Sequence, residues 1–456
     1  MLTSISEHRH ADAAHDIAGV GFGPSNLALA VAVSEHNAAP QLSPMSAVFL
    51  ERRSSFAWHP GMLLRDATMQ VSFLKDLVTL RNPRSPYTFL NYLHERRRIS
   101  AFINQKDFFP TRLEFHDYLS WAAESFGDAI KYGYEVELVE PVVEGGEVIA
   151  FDIAPGDGSD PCHGRVRARN LVIASGLRPR LPAGISSSDR VWHSAELLPR
   201  LESWEGPDPQ RVAVVGAGQS AAEVLAFLHD RFPACEIYSV VQRYGFVPSD
   251  DSPFANQIFD PEAVDFFFEA GPDFRARLLD DHANTNYSVV DQDLITDLYR
   301  RMYREQVAGQ RRLHVLKGSR IVGAALDPSG HPHLEVLNLS DSRTKTLPTD
   351  LAVFATGYEH MDPIPLLGKV AHLCRLDDQG RVLVDRDYRV QTAPEVIAGI
   401  YLQGGTEHVH GLSSSLLSNL ATRAAEIVGS VDRDLNGSAF DASARRTWSE
   451  ERHVRP

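Results

Sequence analysis

Cysteine is scarce in this chain. Only Cys162, Cys235 and Cys374 occur, far apart in sequence. They form neither a Cys-x-x-Cys redox pair nor a metal-ligand cluster, so three incidental thiols in a reducing cytoplasm are expected. Long hydrophobic runs are missing as well: none approaches the roughly 18 residues of a membrane-crossing helix. The N-terminal stretch, with Glu7-His8-Arg9-His10, is polar and lacks the apolar centre of a signal peptide. Positive charge is in deficit. Against 45 Lys and Arg stand 60 Asp and Glu, a net charge of −15, which argues against non-specific nucleic-acid binding. No nucleophile triad and no solenoid-type repeat is evident.

What is present is an ordinary globular apolar content of 43% over 456 residues. That length exceeds one compact core and implies two or three domains. The chain is organised around residues 15–26, His-Asp-Ile-Ala-Gly-Val-Gly-Phe-Gly-Pro-Ser-Asn, followed by the Ala/Leu-rich run Leu27–Val33. An apolar strand, a glycine turn and a helix in that order form a dinucleotide-binding unit. Gly19 is expected to permit the tight turn, and Gly21, lacking Cβ, to let a pyrophosphate approach the backbone. Gly23 completes the run. Pro24 replaces the usual third glycine and suits the first turn of a helix, whose N-terminal amides favour phosphate. Ala47–Leu50 reads as the second strand, closed by Glu51 as the ribose acid, somewhat later than the roughly 20 residues usual for it. A tight turn between any strand and helix would give one such pattern. A second copy, Arg211–Ala221 with Gly216, Gly218, Gln219 and Ser220, points to two nucleotide cofactors that exchange electrons.

The pattern along the chain predicts an α/β fold with two Rossmann-like dinucleotide-binding domains and a small, mostly helical lobe. The expected divisions are a disordered lead over 1–14, a discontinuous first domain over 15–205 and 350–437, and a second over 206–249 and 311–349. The aromatic, acidic stretch 250–310 is the helical lobe and 438–456 a polar tail.

Several motifs together resemble the flavin-dependent N-hydroxylating monooxygenases of siderophore biosynthesis, the L-ornithine N5- and L-lysine N6-monooxygenases. They are Gly19–Pro24, Trp58-His59, Met69–Leu77, Asp250–Phe254, Thr285–Val289, Ala355–Tyr358 and His410–Ser418, and the resemblance runs over roughly residues 15–430. It implies FAD on the first turn, NADPH on the second, and O₂ as co-substrate. In such a reaction NADPH reduces FAD, the reduced flavin captures O₂ as a C4a-hydroperoxide, and a neutral amine nitrogen attacks the distal oxygen. The amine's unperturbed pKa is about 10.4, so the site must desolvate it or offer it an acceptor other than carboxylate.

By the same resemblance, Lys75 binds the substrate carboxylate and Gln70 lies near the flavin ring. Asn256, Asn286 and Ser418 contact substrate, Asn286 also lies against the nicotinamide nucleotide, and Ser415, Leu416 and Leu417 lie against FAD. Trp58 and His59 run along the FAD. Read structurally, Lys75 is a surface lysine, Trp58 a packed aromatic, and Ser252-Pro253 ahead of Asn256 a helix start that can coexist with a substrate contact. Gly216, Gly218, Gln219 and Ser220 are expected at the NADPH pyrophosphate. Arg243 follows the next strand where an acid would favour NAD, and suits a 2′-phosphate. The Phe-Gly that precedes His-Ser in Baeyer–Villiger and sulfur-oxygenating relatives is not in place before His193.

Ornithine and lysine differ by one methylene, worth only ~0.8 kcal/mol on burial and about 1–3 kcal/mol in a pocket. Leu80–Pro86 and Phe109–Phe115 look more like the ornithine branch. L-Ornithine is therefore the expected substrate, with L-lysine and then a diamine such as putrescine as alternatives. A flavin-dependent NADPH oxidase or reductase, or a non-catalytic FAD-binding protein, represents the competing classes. The resemblance further implies a homotetramer, and no membrane or nucleic-acid partner is expected.

Overall fold

The computed structural model describes residues 14–160, 162–282, 285 and 288–437. The expected lead, apart from residue 14, and the expected tail lie outside them. The first sheet has seven strands. Ile130–Tyr132, Ala47–Glu51, His15–Val20 and Val166–Ile173 run parallel, and the antiparallel Glu147–Pro155 and Val136–Glu144 follow. On the edge away from His15–Val20, Val166–Ile173 serves two partners. Its first half pairs with Glu147–Pro155, and its second half, from Asn170 on, pairs in parallel with Gly399–Leu402.

Packing explains the helix after the first glycine turn. Pro24–Asn37 buries the eight consecutive residues Asn26–Val33, so it has no polar face to speak of. One side lies on the sheet and the other against Leu420–Gly437. An aromatic block that includes Phe89, Tyr92, Phe115 and Tyr118 completes that core. The opposite face of the sheet, including side chains of Val136–Glu144 and Glu147–Pro155, packs on residues within 364–402.

The second sheet is wholly parallel, in the order Leu313–Leu316, Glu236–Val240, Arg211–Val215, Leu351–Phe354, Val191–His193. A three-stranded antiparallel sheet, Ser319–Leu326, Pro332–Asn338 and Thr344–Pro348, packs beside it. Leu177–Pro179 and Tyr358–His360 pair antiparallel where the chain passes from one unit to the other.

The α/β architecture with two dinucleotide-type sheets, one mixed and one parallel, and a helical lobe is the expected one, but three boundaries move. Val191–His193 and Leu351–Phe354 belong to the second sheet, not to the first domain. The run Leu351–Phe354 is as apolar as a first-sheet strand and is followed three residues on by Gly357, as Val166–Ile173 is by Gly176, so its composition does not reveal its partner. Gln292–Ala308 sits with the second unit, because Leu298 enters that sheet's core alongside Leu294, Ile295 and Met302. Among the described residues, the remaining lobe contains Pro253–Asn256, the short turn Gln257–Phe259, Pro261–Glu269 and Pro272–Asp281.

Candidate dinucleotide crevices and amine site

At the first turn the three glycines do different work. A Cβ on Gly19 would lie 2.5 Å from the Phe49 ring and 2.8 Å from Asn26 Nδ2. A Cβ on Gly21, at φ +81°, would lie 2.5 Å from the Ala174 carbonyl oxygen. Gly19 and Gly21 are thus required by neighbouring strands and the helix. Gly23, by contrast, has open space at its Cβ position. Gly23 caps the helix in extended conformation with no side-chain cap, Pro24 opens its first turn, and no acid lies there. The helix N-terminus is free to meet an anion. Asn26, which the motif does not single out, fixes the turn: it donates to the Gly21 carbonyl at 2.7 Å and accepts from Gln403 Nε2 at 2.9 Å. Glu51 ends the neighbouring strand as expected. Its carboxylate accepts from the Phe22 and Arg53 amides at 2.7 and 2.9 Å.

Beyond the carboxyl ends of these strands lies a cavity of about 360 Å³, lined among others by Ser25, Gly176, His360, Gly404 and Ser415. This is where an open α/β sheet binds its ligand. Gly176 and Gly404 present no Cβ and have open space beside them. Ser415 Oγ is 3.2 Å from His360 Nε2, Leu416 runs extended between two 3-10 turns, and Leu417 packs on the first core. Ser418 Oγ and both polar ends of the Asn419 amide are buried with no partner within the protein. Buried polar groups are rarely left so. With the open glycines and the uncapped helix, they fit a large polar cofactor such as FAD. The fully buried Arg423 supports this loop by donating to the Ser414 carbonyl. Sequence pattern alone gave no sign of it.

Lys75 is half-buried on a loop tied down by its neighbour. The carboxylate of Asp76, 3% exposed, accepts from the amides of Val78, Thr79 and Phe89 and from the Thr79 hydroxyl at 2.6–2.9 Å. Burial pushes the Asp76 carboxyl up, and these four bonds oppose the shift. Lys75 Nζ faces Asp260 Oδ1 at 4.0 Å. The turn Gln257–Phe259 just before Asp260 packs against Leu412–Ser415, so the loop of Lys75, the start of the lobe and the serine loop meet. Asn256 is exposed and donates to the Asp251 carbonyl at 2.8 Å, behind the Ser252 cap, and does not line the cavity. Asn286 lies outside the described residues.

Trp58 packs against Phe115, and His59 against Tyr358 at 5.7 Å. Burial, reinforced by Arg112 and Arg53, pushes His59 down to about 4, so its ring is neutral near pH 7. His193 is buried too. It caps Ser194–Glu196 through Nδ1 and lies 2.9 Å from the Gly357 carbonyl through Nε2, which is a structural role.

The second turn repeats the first. Gly216, at φ +146°, would place a Cβ 2.3 Å from the Ala355 carbonyl, and Gly218 caps Gln219–Arg231 with no side chain in the way. Ser220 is half-buried in the first turn. The Gln219 amide donates to Asp291 Oδ2 at 2.8 Å and accepts from the Asp291 N–H at 2.9 Å. Arg243 donates to the Ser288 carbonyl at 3.3 Å. Lys317, not anticipated, follows the adjacent strand and stands 4.0 Å over the Tyr244 ring, a second cation beside Arg243. Gln70, exposed, donates to Asp291 Oδ1 at 3.3 Å. Among the described residues no His/Cys/Asp/Glu group could hold a metal, and no helix is long and apolar enough to cross a membrane.

The family model for L-lysine 6-monooxygenase/L-ornithine 5-monooxygenase matches residues 13–360. An L-ornithine N(5)-monooxygenase of Burkholderia cepacia is 42% identical over 404 residues, covering 87% of this chain and 89% of that protein. The structure of an ornithine N-hydroxylase of Kutzneria sp. 744, with reduced FAD, NADP⁺ and L-ornithine, superposes with a TM-score of 0.87 at 48% identity, over 92% of this chain and 99% of that one. The L-lysine 6-monooxygenase of Pseudomonas syringae gives 0.81 at 32% identity, over 92% and 100%.

Proposed function

The chain belongs to the L-lysine 6-monooxygenase/L-ornithine 5-monooxygenase family, and from that premise we propose which of its residues carry the chemistry. It is an FAD- and NADPH-dependent monooxygenase that hydroxylates the side-chain nitrogen of L-ornithine and supplies hydroxamate precursors for siderophore biosynthesis. The carrying observation is the pair of uncapped glycine turns, on two sheets joined by one short ribbon, with the lysine-bearing loop beside the first crevice.

FAD and NADPH, when bound, supply the redox chemistry with O₂; the protein binds, orients and excludes water. Gly23, Pro24 and the first turn of the following helix hold the FAD pyrophosphate, and Glu51 exchanges its present amide partners for a ribose. Ser415–Leu417 line the flavin. Gly218, Gln219 and Ser220 hold the NADPH pyrophosphate, and Arg243 with Lys317 holds the 2′-phosphate, which a planar guanidinium suits. Lys75 gives up Asp260 for the substrate α-carboxylate. That leaves the side-chain amine to amide and hydroxyl partners, with Asn256, Asn286 and Ser418 as its expected set. None of them carries charge, so they stabilise the protonated amine less than a carboxylate would, and desolvation lowers its pKa toward the reactive neutral state.

The family resemblance supports a homotetramer. A free, exposed Cys162 with two buried thiols supports a reducing, cytoplasmic location.

The test supplies FAD-loaded enzyme with NADPH, O₂ and separately L-ornithine, L-lysine and putrescine, measuring hydroxylated amine and hydrogen peroxide. Hydroxylated ornithine with little product from lysine is expected. Product from lysine or putrescine alone would overturn the substrate, and peroxide alone would leave an oxidase.

A further inference from the structure

We propose that Asp291 is a positioning residue that ties the placement of the nicotinamide-nucleotide turn to the orientation of the Gln70 amide. The inference rests on the reading above, in which residues 216–220 hold NADP(H) and Gln70 lies beside the flavin.

The observation that carries it is a cap not made. Asp291 is the N-cap of Gln292–Ala308. An aspartate there ordinarily turns its carboxylate onto its own helix's free amides. Asp291 makes no such bond. Its two oxygens instead bridge two glutamines from different units: Oδ1 accepts from Gln70 at 3.3 Å and Oδ2 from Gln219 at 2.8 Å. Its backbone N–H closes a reciprocal pair by donating to Gln219 Oε1, so the Gln219 amide has one orientation. Gln219 is the first helical residue after Gly218.

The chain of contacts returns to the first unit. Gln219 Nε2 also donates to Glu223 at 3.0 Å, and Glu223 takes a two-bond grip from Arg112. The Arg112 amide donates to the Ala67 carbonyl, and the Met69 amide to that of Pro110. Arg112 and Gln70 therefore stand on one backbone frame, Gln219 and Glu223 on one helix, and Asp291 joins the two. Burial pushes the Asp291 carboxyl up while Gln70, Gln219 and Arg112 hold it down, as for a carboxylate that depends on these partners. A nucleotide that settles the second turn fixes Gln219, then Asp291, then Gln70. By linkage, the state of Gln70 bears equally on nucleotide affinity.

The experiment uses FAD-loaded enzyme carrying Gln70→Ala, Asp291→Ala, Asp291→Asn and the Gln70→Ala/Asp291→Ala double change. One arm reads hydroxylamine formed per NADPH oxidised. The other, independent of turnover, reads backbone hydrogen exchange of residues 67–72 with and without NADP⁺. In the unchanged protein, NADP⁺ slows exchange there. Asp291→Ala is expected to abolish that protection and raise the peroxide share several-fold, with the double variant no worse than Gln70→Ala. Asp291→Asn, which preserves size and cap geometry but can accept at only one oxygen, is expected to fall between. NADP⁺-dependent protection that survives both Asp291 changes would overturn the proposal. An unchanged product split in Gln70→Ala would instead overturn the flavin-side reading of Gln70, while the exchange arm still decides the tether.

Discussion

Arg112 and Glu223 face each other across the two units with two N–H···O contacts of 2.8 Å each, and their side chains are only 14% and 5% exposed. Burial, reinforced by the Asp291 charge, pushes the Glu223 carboxyl up, and the Arg112 guanidinium and the Gln219 amide oppose it. Removing one partner leaves the other charge buried and unpaired, a cost of about 3–5 kcal/mol. Arg112→Met and Glu223→Leu should each lower stability by that order in urea titrations. The double change should recover much of it, since an apolar replacement of a whole buried pair is often neutral. Additive losses would mean the pair is not coupled.

Gly21 and Gly23 should separate folding from cofactor binding. Gly21→Ala puts a Cβ at positive φ and against the Ala174 carbonyl, so the apoprotein itself should be destabilised, by about 1–3 kcal/mol for the strained backbone and more for the clash. Gly23→Ala meets nothing and keeps φ −89°. Its apoprotein should melt within a degree or two of the unchanged one yet bind FAD much more weakly. Flavin content and apoprotein melting, measured together, check both.

Lys75 yields a prediction that does not depend on overall activity. A charge-assisted hydrogen bond contributes about 1.5–3 kcal/mol, roughly ten- to more than a hundredfold in kcat/KM. Lys75→Ala should lose that factor with L-ornithine but not with putrescine, which has no carboxylate. The preference for ornithine over putrescine should therefore collapse. A parallel fall with both amines would show that Lys75 supports the loop and not the substrate.

These tests reflect what could be read from the chain and what could not. Pro24, Glu51, Gly218 and the helix starts were legible because turn chemistry is local: the spacing of glycine, proline and acid is itself the geometry. The division of labour among Gly19, Gly21 and Gly23 was not. It depends on Phe49 and Ala174, contributed by other strands, and no periodicity around residue 20 reveals them. Arg112, Glu223 and Asp291 are ordinary charged residues until the fold brings them together. Leu351–Phe354 illustrates the same limit at the scale of a sheet, since an apolar run with a glycine three residues beyond it fits either one. Lys75 and Ser418 came from family resemblance, and the structure adds the Asp76 knot under the one and the unpartnered hydroxyl of the other.

Arg243 and Lys317 should set coenzyme choice. Arg243→Ala is expected to reduce kcat/KM for NADPH about ten- to a hundredfold, the equivalent of 1.5–3 kcal/mol for a charge-assisted contact, and to leave NADH nearly untouched. Lys317→Ala should do the same more weakly, as an ammonium is a point charge without the guanidinium's fork. Equal losses with both coenzymes would place the two cations away from the 2′-phosphate.

His410 should set an acid limit to stability. The ring is 1% exposed and stacked on Tyr388 at 4.1 Å. Nε2 lies 3.1 and 3.2 Å from the Asp385 and Arg386 carbonyls, and Nδ1 has no partner. Burial, with Arg386 and Arg423 nearby, pushes its pKa down to about 3 from the usual 6.5. A histidine with a lowered folded pKa binds its proton more readily when unfolded. Its contribution to stability is therefore complete above pH 6.5 and is lost as pH falls from there toward 3. Each pH unit in that window removes about 1.4 kcal/mol. Urea titrations between pH 7 and 4 should show the slope, and His410→Gln should flatten it by close to one proton even if its stability at pH 7 is lower. The same slope in that variant would assign the acid limit to other groups, His59 first, because its pKa is also pushed down, to about 4.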